Sequence, residues 1–485
     1  MKKNVLLIVI CFVIGLLNAE LSSAVEPPKP ILPVPSKHQM AWQHKELLMF
    51  AHFGVKTYYP DKYGRGSGKE DMQKFNPKKF DAKQWVRAAK AGGFKGIVLT
   101  AKHHEGSCNW QTETSDFGVE SSPWKNGKGD VIKEVADACH EADMLFGIYM
   151  SVWDMNYKVS GPDRITEGQK FKEHIKDYQK FFEKQITELC TKYGVVDEFW
   201  FDGCNAKQMG TLDWAAIAAI FQKHQPNMIV FRADPLPNME RSGVRWPRNE
   251  AGNAGDPNWS VWPAPDENLK VDENAIWFPA EADAIAQGGW FWNGKPICDL
   301  SKLQKIYMTS VGRNGVALIN LGPNRDGLID PASIPRLKEF KEWVDGIYAR
   351  NIAVGKPISA DTVRGNDLQY APENLLDNNY ETYYATDDNV TTARIELNLG
   401  ELTDINGVIV REYIPLGQRV AEHYIEVWDG SSWKKVFDGT TIGFKRIHWE
   451  EKGLKAQKVR LTITRSRACP VISTLSVIRA SEDSK

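Results

Sequence analysis

Three shortages narrow this chain of 485 residues before any motif is read. Net charge is one: 61 basic residues face 62 acidic ones, leaving −1, so neither nucleic acid nor membrane insertion is expected. Cysteine is another, with seven in the whole chain and no C-x-x-C pair, which argues against a disulfide scaffold and against zinc or dithiol redox chemistry of that pattern. Long apolar runs are the third, since none after Leu17 is long enough to span a bilayer. Internal repeats and low-complexity tracts are missing as well.

What is present starts with a basic Met1–Lys3, an apolar Val5–Leu17 and the small residues Ser22, Ser23 and Ala24. Residues 1–24 read as a secretory signal, so the mature chain is expected to begin near Val25 and to be exported, periplasmic or extracellular. Cys11 lies in the apolar run without a lipobox before it, which argues against a lipid anchor. Of the remaining cysteines, Cys108 and Cys204 both follow expected strand ends and are candidates to meet. Length and a hydrophobic content of 42% call for more than one domain. The 17 Trp point to carbohydrate as a ligand class worth testing, because indole faces stack on sugar rings.

Residues 25–39 form a proline-rich leader, expected to be extended and peripheral. From about 40 to 350 short apolar runs alternate with helical stretches, which predicts an α/β fold, an irregular (β/α)8 TIM-like barrel. Strands are expected near Leu48–Phe53, Gly96–Thr100, Leu145–Ser151, Val196–Phe201, Met228–Arg232, Val244–Arg248, Ala275–Pro279 and Val316–Asn320. Helices are expected at Ala82–Ala91, Val131–Ala142, Gln169–Tyr193, Trp214–His224 and Ile334–Tyr348. Strands five to seven are too close for helices between them, so the barrel should be irregular there. Residues 351–485 change to short β-type runs with turn signals such as Asp429-Gly430, the pattern of a β-sandwich.

The expected strand ends are polar: His52, then His103 and His104, Trp153 and Asp154, Asp202, Arg232 and Asp234, Glu250, Glu281 and Asn320. In a closed barrel the carboxyl ends of the strands share one pocket. Asp202, at the end of V-D-E-F-W-F-D-G, sits badly as core and well as chemistry. Two carboxylates across a pocket suit glycosidic cleavage, one attacking the anomeric carbon or activating water and the other protonating the leaving oxygen. Glu105, Asp154, Glu267 and Glu281 compete with Glu250 for that second role, and an ion pair with Arg248 is the bland alternative for Glu250. Imidazoles can bond sugar hydroxyls from both edges. Trp290, Phe291 and Trp292 offer an apolar wall. No metal or other cofactor is expected, because His103 and His104 lack partners at helical ligand spacing.

These motifs together resemble glycoside hydrolase family 29 α-L-fucosidases from about Met40 to Ala349. The carriers are F-A-H-F-G-V at 50–55, K-H-H-E-G at 102–106, F-W-F-D-G at 199–203, R-N-E-A-G at 248–252 and G-W-F-W at 289–292. The resemblance implies an exo-acting enzyme that retains configuration by double displacement, with Asp202 as nucleophile and Glu250 as acid/base. It implies substrate contacts at His52, His103, His104 and Trp200, and the aromatic pattern adds Trp153, Trp290 and Trp292. Its N-E-x-G context resembles the branch preferring α-1,3/1,4-linked fucose of Lewis-type glycans, so a fucosylated oligosaccharide or glycoconjugate is the expected partner. A broad-specificity fucosidase, another retaining glycosidase and a non-catalytic glycan-binding protein are the alternatives.

The C-terminal region resembles the discoidin, or F5/8 type C, sandwich through N-I-A-V-G-K at 351–356, N-L-L-D-N-N-Y-E-T at 374–382 and R-I-E-L-N-L-G at 394–400. That resemblance raises a structural calcium near Asp377 and Thr382. Against it, the glutamate usual near the C-terminus is replaced by Ile472–Leu475.

Overall fold

The computed structural model describes residues 25–59, 65–165, 168–203, 212–232 and 236–479. The secretory signal, Cys204 and Asp234 lie outside them.

Eight parallel strands form the first sheet: β1 (Leu47–Ala51), β2 (Gly96–Lys102), β3 (Leu145–Ser151), β4 (Glu198–Asp202), β5 (Ile229–Phe231), β6 (Gly243–Val244), β9 (Ala280–Ile285) and β10 (Gly315–Asn320). Between β6 and β9 run β7 (Val261–Trp262) and β8 (Ile276–Trp277), a separate antiparallel pair. The sheet order is β6-β5-β4-β3-β2-β1-β10-β9, and its two edges meet at a parallel bridge between Arg245 and Ala280. The result is a nearly closed barrel, joined by one bridge where a full ladder would run.

The helices are α1 (Lys37–Gln43), α2 (Ala82–Ala91), α3 (Val131–Glu141), α4 (Gly168–Lys192), α5 (Trp214–His224), α6 (Leu300–Thr309) and α7 (Ile334–Tyr348). Asp81, Asp130 and Asp213 cap α2, α3 and α5 by accepting a backbone N–H three residues on. Among the described residues no helix separates β5 from β6 or β6 from β9, as expected from the short spacings.

One strand differs from the sequence expectation. The run Ala275–Pro279 forms β8, which pairs with β7 outside the barrel, and the seventh barrel strand is A-E-A-D-A-I at 280–285. Its acids turn inward, so Glu281 lies within a strand and not after one. The sixth strand is also shorter than expected, and Trp246 to Arg248 belong to the loop beyond it.

Strand alternation builds the site. A period of two places Leu48 and Phe50 on the inner face of β1 and carries the next position, His52, inward too. The same parity brings Tyr149 and Ser151 inward from β3, Glu198, Trp200 and Asp202 from β4, and Leu318 and Asn320 from β10. Phe50, Tyr149, Trp200 and Phe231 make a layer of rings across the barrel, with Trp200 and Phe231 stacked at 3.9 Å. Outward residues such as Met49, Ile97, Ile148 and Phe199 pack under the helices in the main core.

Beyond residue 351 the chain is antiparallel β. Strands β11 (Ile358–Ala360), β12 (Tyr384–Ala385), β13 (Ala393–Glu412), β14 (Val420–Trp428), β15 (Trp433–Gly439), β16 (Arg446–Ser466) and β17 (Val471–Ile478) form one hydrogen-bonded set. Strands expected as separate runs are fused in β13 and β16, which break register midway. The two halves of each long strand thereby serve opposite layers of a sandwich. Leu397, Val410, Leu461 and Val477 meet in a single core between them.

The β domain packs on the amino-terminal side of the barrel. Glu46, just before β1, pairs with Lys445 and with Arg411 at 3.0 Å. Asn314, just before β10, accepts the Phe444 N–H at 2.8 Å, and Asp256 takes both terminal nitrogens of Arg446 at 3.0 and 2.8 Å. The leader is extended but not loose. Arg364, Arg419 and Arg467 donate to the carbonyls of Glu26, Lys29 and Leu32 at 2.6, 2.6 and 3.0 Å, and Ile31 N–H donates to Leu416 O at 3.0 Å.

Candidate active site

A cavity of about 660 Å³ opens at the carboxyl ends of the barrel strands. Its lining includes His52, His103, His104, Trp153, Trp200, Asp202, Glu250, Trp290 and Trp292, so every residue singled out from sequence as catalytic or substrate-binding meets here. Residues of the β domain do not contribute to this wall.

Asp202 is the last residue of β4 and stands half-buried on the floor. Tyr149 donates its hydroxyl to Asp202 Oδ2 at 2.8 Å, and the Gly203 N–H donates to Oδ1 at 2.7 Å. Ser151 accepts the Trp153 N–H at 3.0 Å and bonds His104 Nδ1 at 2.6 Å, and His104 Nε2 lies 3.3 Å from Asp202 Oδ2. Burial alone would push this carboxyl up. His104, Tyr149 and the nearby His103 outweigh it and hold Asp202 well below the usual carboxylate range. Gly203 makes the turn with φ 77°, and a Cβ there would meet the Trp153 ring at 2.5 Å, so both backbone and packing require glycine after Asp202.

Glu250 lies on the loop after β6, open to solvent but within the same cavity. Partial burial and the Asp202 charge push its carboxyl up, while a hydrogen bond from Trp290 and the charge of Arg65 pull the other way. No ion pair joins it to Arg248 among the described residues. Two carboxyl groups facing one cavity are thus moved apart, one kept ionised and one biased toward its acid form.

The rivals for the second role sit elsewhere. Asp154 is buried against Lys102 at 2.9 Å and accepts the Tyr157 N–H. Glu105 accepts from Ser107 at 2.6 Å, away from the cavity wall. Glu267 is exposed on the loop between β7 and β8, where Arg465 bonds its carbonyl. Glu281 is buried inside the barrel beside Glu198, and the Trp200 indole donates to it at 3.1 Å.

His52 carries a defined tautomer. The Asn320 amide nitrogen donates to the carbonyls of Gly289 and Trp290, so its oxygen faces His52 Nδ1 at 2.9 Å and Nδ1 holds the proton. Burial, then the nearby His103, hold the ring well below the usual histidine range, leaving Nε2 as an acceptor. The His103 ring is stacked on Tyr149 at 5.5 Å. Trp290 and Phe291 flank His52 at 4.8 and 5.6 Å, making an aromatic wall above the polar floor.

Sequence reading missed Tyr149 and Asp283, which also line the cavity. Tyr149 could have been found two residues before Ser151 on β3 by parity alone. Asp283 was hidden in the misplaced seventh strand. Among the described residues, His103, His104 and Asp202 bring three potential metal ligands within 4.8 Å of one another. The carboxylate oxygens of that group are already taken up by protein donors. In the β domain, Asp377 accepts the Asn379 N–H and the Thr382 hydroxyl, closing its own turn. No helix of the described residues is long and apolar enough to cross a membrane.

Comparison with known proteins agrees with this geometry. Residues 33–347 match the α-L-fucosidase family model, and residues 357–474 match the F5/8 type C domain. Alpha-L-fucosidase 1 of Arabidopsis thaliana is 35% identical over 94% of this chain and 90% of its own length. A GH29 fucosidase of Ruminococcus gnavus, solved in complex with fucose, is 30% identical, with a TM-score of 0.83 over 95% of this chain and 97% of that one. The structure of SpGH29 aligns equally well, at 30% identity and a TM-score of 0.83 over 94% of this chain and 100% of the other. A barrel whose floor keeps one carboxylate charged beside a second, matched by relatives along nearly its whole length, places this chain in glycoside hydrolase family 29 as an α-L-fucosidase with an F5/8 type C domain.

Proposed function

We propose that this enzyme is an exo-acting, retaining α-L-fucosidase in which Asp202 is the nucleophile and Glu250 the acid/base, and that it prefers α-1,3/1,4-linked fucose of Lewis-type glycans. The observation that carries the reading is the divergence of two carboxyl groups in one cavity, Asp202 held down by His104, Tyr149 and the nearby His103 and Glu250 pushed up beside it. Asp202 attacks the anomeric carbon as the glycosidic C–O bond breaks, and Glu250 gives its proton to the departing oxygen. Glu250 then takes a proton from water, which displaces Asp202 and restores the anomeric configuration. Such a pair works when the carboxyl groups are about 5–5.5 Å apart. His52 Nε2 accepts from a sugar hydroxyl, His103 and His104 bond others, and Trp200, Trp290, Trp292 and Trp153 enclose the ring.

The test is fucose release from a Lewis-type trisaccharide, 2′-fucosyllactose and an aryl fucoside, with the first-formed anomer read by NMR. Release of α-fucose from the Lewis sugar, with little from 2′-fucosyllactose, is expected. Comparable release from all three refutes the linkage preference, and β-fucose appearing first refutes double displacement. Asp202→Asn should abolish turnover while still binding fucose by calorimetry, and wild-type-like rates would remove Asp202 from the mechanism. Residues 1–24 are read as an export signal, which N-terminal sequencing of exported protein checks.

A further inference from the structure

The loop that carries Glu250 has no regular secondary structure, and its position is borrowed from β9. At its start, Arg245 N–H donates to Pro279 O at 2.9 Å and Glu281 N–H donates to Arg245 O at 3.0 Å. At its end, Gly252 N–H donates to the Asp283 carbonyl at 2.9 Å, and Ala251 bridges Ala284. Between these anchors the Trp246 indole N–H donates to Asp283 Oδ1 at 2.8 Å. Asp283 therefore grips the loop on both sides of Glu250, by its side chain four residues before and by its main chain two residues after.

A buried aspartate is an odd choice for this task, since it is only 2% exposed and shares the cavity with two other carboxyl groups. Burial pushes its carboxyl up to about 8, and the charges of Glu250 and Asp202 add to that. In the acid form one oxygen accepts from Trp246 and the other carries a proton, the same pattern as a side-chain amide.

We infer that Asp283 is a positioning residue for proton transfer: by fixing Trp246 it sets the loop that holds Glu250 at the leaving oxygen. This rests on the reading of Glu250 as acid/base. Among the described residues its hydrogen bonds go to Trp246 and Gly252 of the loop and to none of the histidines or Asp202, so its loss should fall on the proton transfers that Glu250 makes.

The experiment compares kcat and KM for wild type, Asp283→Leu, Asp283→Asn, Trp246→Phe and Glu250→Gln on a dinitrophenyl fucoside and on a fucosylated oligosaccharide. Asp283→Leu keeps the shape and removes the acceptor, and Trp246→Phe removes the same hydrogen bond from the other end. General-acid contributions run from about 100- to 10,000-fold, so a displaced Glu250 should cost both variants at least about 30-fold in kcat/KM, which reports the glycosylation step alone, on the oligosaccharide and less than about 3-fold on the dinitrophenyl substrate. Asp283→Asn should restore both rates to within about 3-fold of wild type, because an amide reproduces the protonated acid. Equal losses on the two substrates, or an Asn variant as impaired as Leu, would overturn the inference. Should Asp283→Leu fail to fold, Trp246→Phe makes the same comparison. A Glu250→Gln loss that ignores the leaving group ends the acid/base reading and this inference with it. If Glu250→Gln is sensitive but Asp283→Leu and Trp246→Phe are not, only the inference falls.

Discussion

Replacing Lys102 with Met should unfold the barrel more easily by about 4 kcal/mol, and the reason is electrostatic. Lys102 and Asp154 pair at 2.9 Å with side chains only 0% and 2% exposed. Removing one partner of such a pair strands the other charge in a medium that cannot solvate it, which typically costs about 3–5 kcal/mol. The ammonium also lies 5.5, 5.2 and 5.3 Å from the rings of Tyr178, Phe181 and Phe182, a further attraction that Met gives up. Far-UV circular dichroism in urea isolates the effect, because every α-helix among the described residues belongs to the barrel domain. With an m-value of about 3 kcal/mol per molar, the midpoint should fall by more than about 1 M. Asp154→Asn keeps the acceptor for the Tyr157 N–H and should also destabilise, now by stranding Lys102. The double variant has no stranded charge, so its loss should be well below the sum of the two. A loss under about 1 kcal/mol for Lys102→Met, or strict additivity in the double variant, would refute the reasoning. Any activity left in Asp154→Asn should lose equally on good and poor leaving groups, as befits a structural carboxylate.

Two further outcomes follow from other parts of the fold. Glu198 and Glu281 bond each other inside the barrel, where burial first, and for Glu281 also the charge of Glu198, raise their pKa values, Glu198 to about 7 from an ordinary 4.5. A carboxyl raised in the folded state stabilises fully below its free pKa and loses that stability as pH climbs through the folded one. The wild-type melting temperature should therefore drop between about pH 5 and about pH 8, and Glu281→Gln should flatten that drop. A wild-type and variant difference that does not change with pH would sink the shared-proton picture. Deleting residues 25–35 should lower the melting temperature by about 5 °C or more without changing kcat on an aryl fucoside, since, among the described residues, 25–35 hydrogen-bond the β domain and the cavity wall begins at Phe50. An unchanged melt would show that those bonds contribute nothing.

How much of this was legible in the sequence depended on whether burial and hydrophobicity agreed. The runs around β1 to β5 and β10 are apolar and buried, so their places could be read, and His52, His103, His104, Trp153, Asp202 and Arg232 at their ends line one cavity, while Asp154 turns aside to Lys102 and Asn320 stands behind His52. Strand β9 defeats the same logic. Its sequence alternates alanine with acids, which reads as solvent-exposed, yet Glu281 and Asp283 are buried, each with an indole donor and each with its carboxyl pushed up by burial. The neighbouring I-W-F run looked like the strand because it is apolar, but it pairs with Val261 and Trp262 outside the barrel. The site residues were legible as types and positions. Their protonation, set by Tyr149, Asn320 and Ser151, was not, because those partners come from separate strands. In the β domain the turns were readable, while the fusion of short runs into β13 and β16 depends on cross-strand register that no local pattern encodes.

The arginine-bound leader also dictates an order of assembly. A ribosome delivers residues 25–35 before any of the barrel, yet the side chains that clasp them, Arg364, Arg419 and Arg467, emerge only hundreds of residues later. A segment made ahead of the whole barrel is thus among the last to find its place, and a chain interrupted at the end of the barrel has a tether with nothing to hold it. Contacts this distant in sequence slow the final step of folding and make the finished C-terminal domain a condition for closing the N-terminal end.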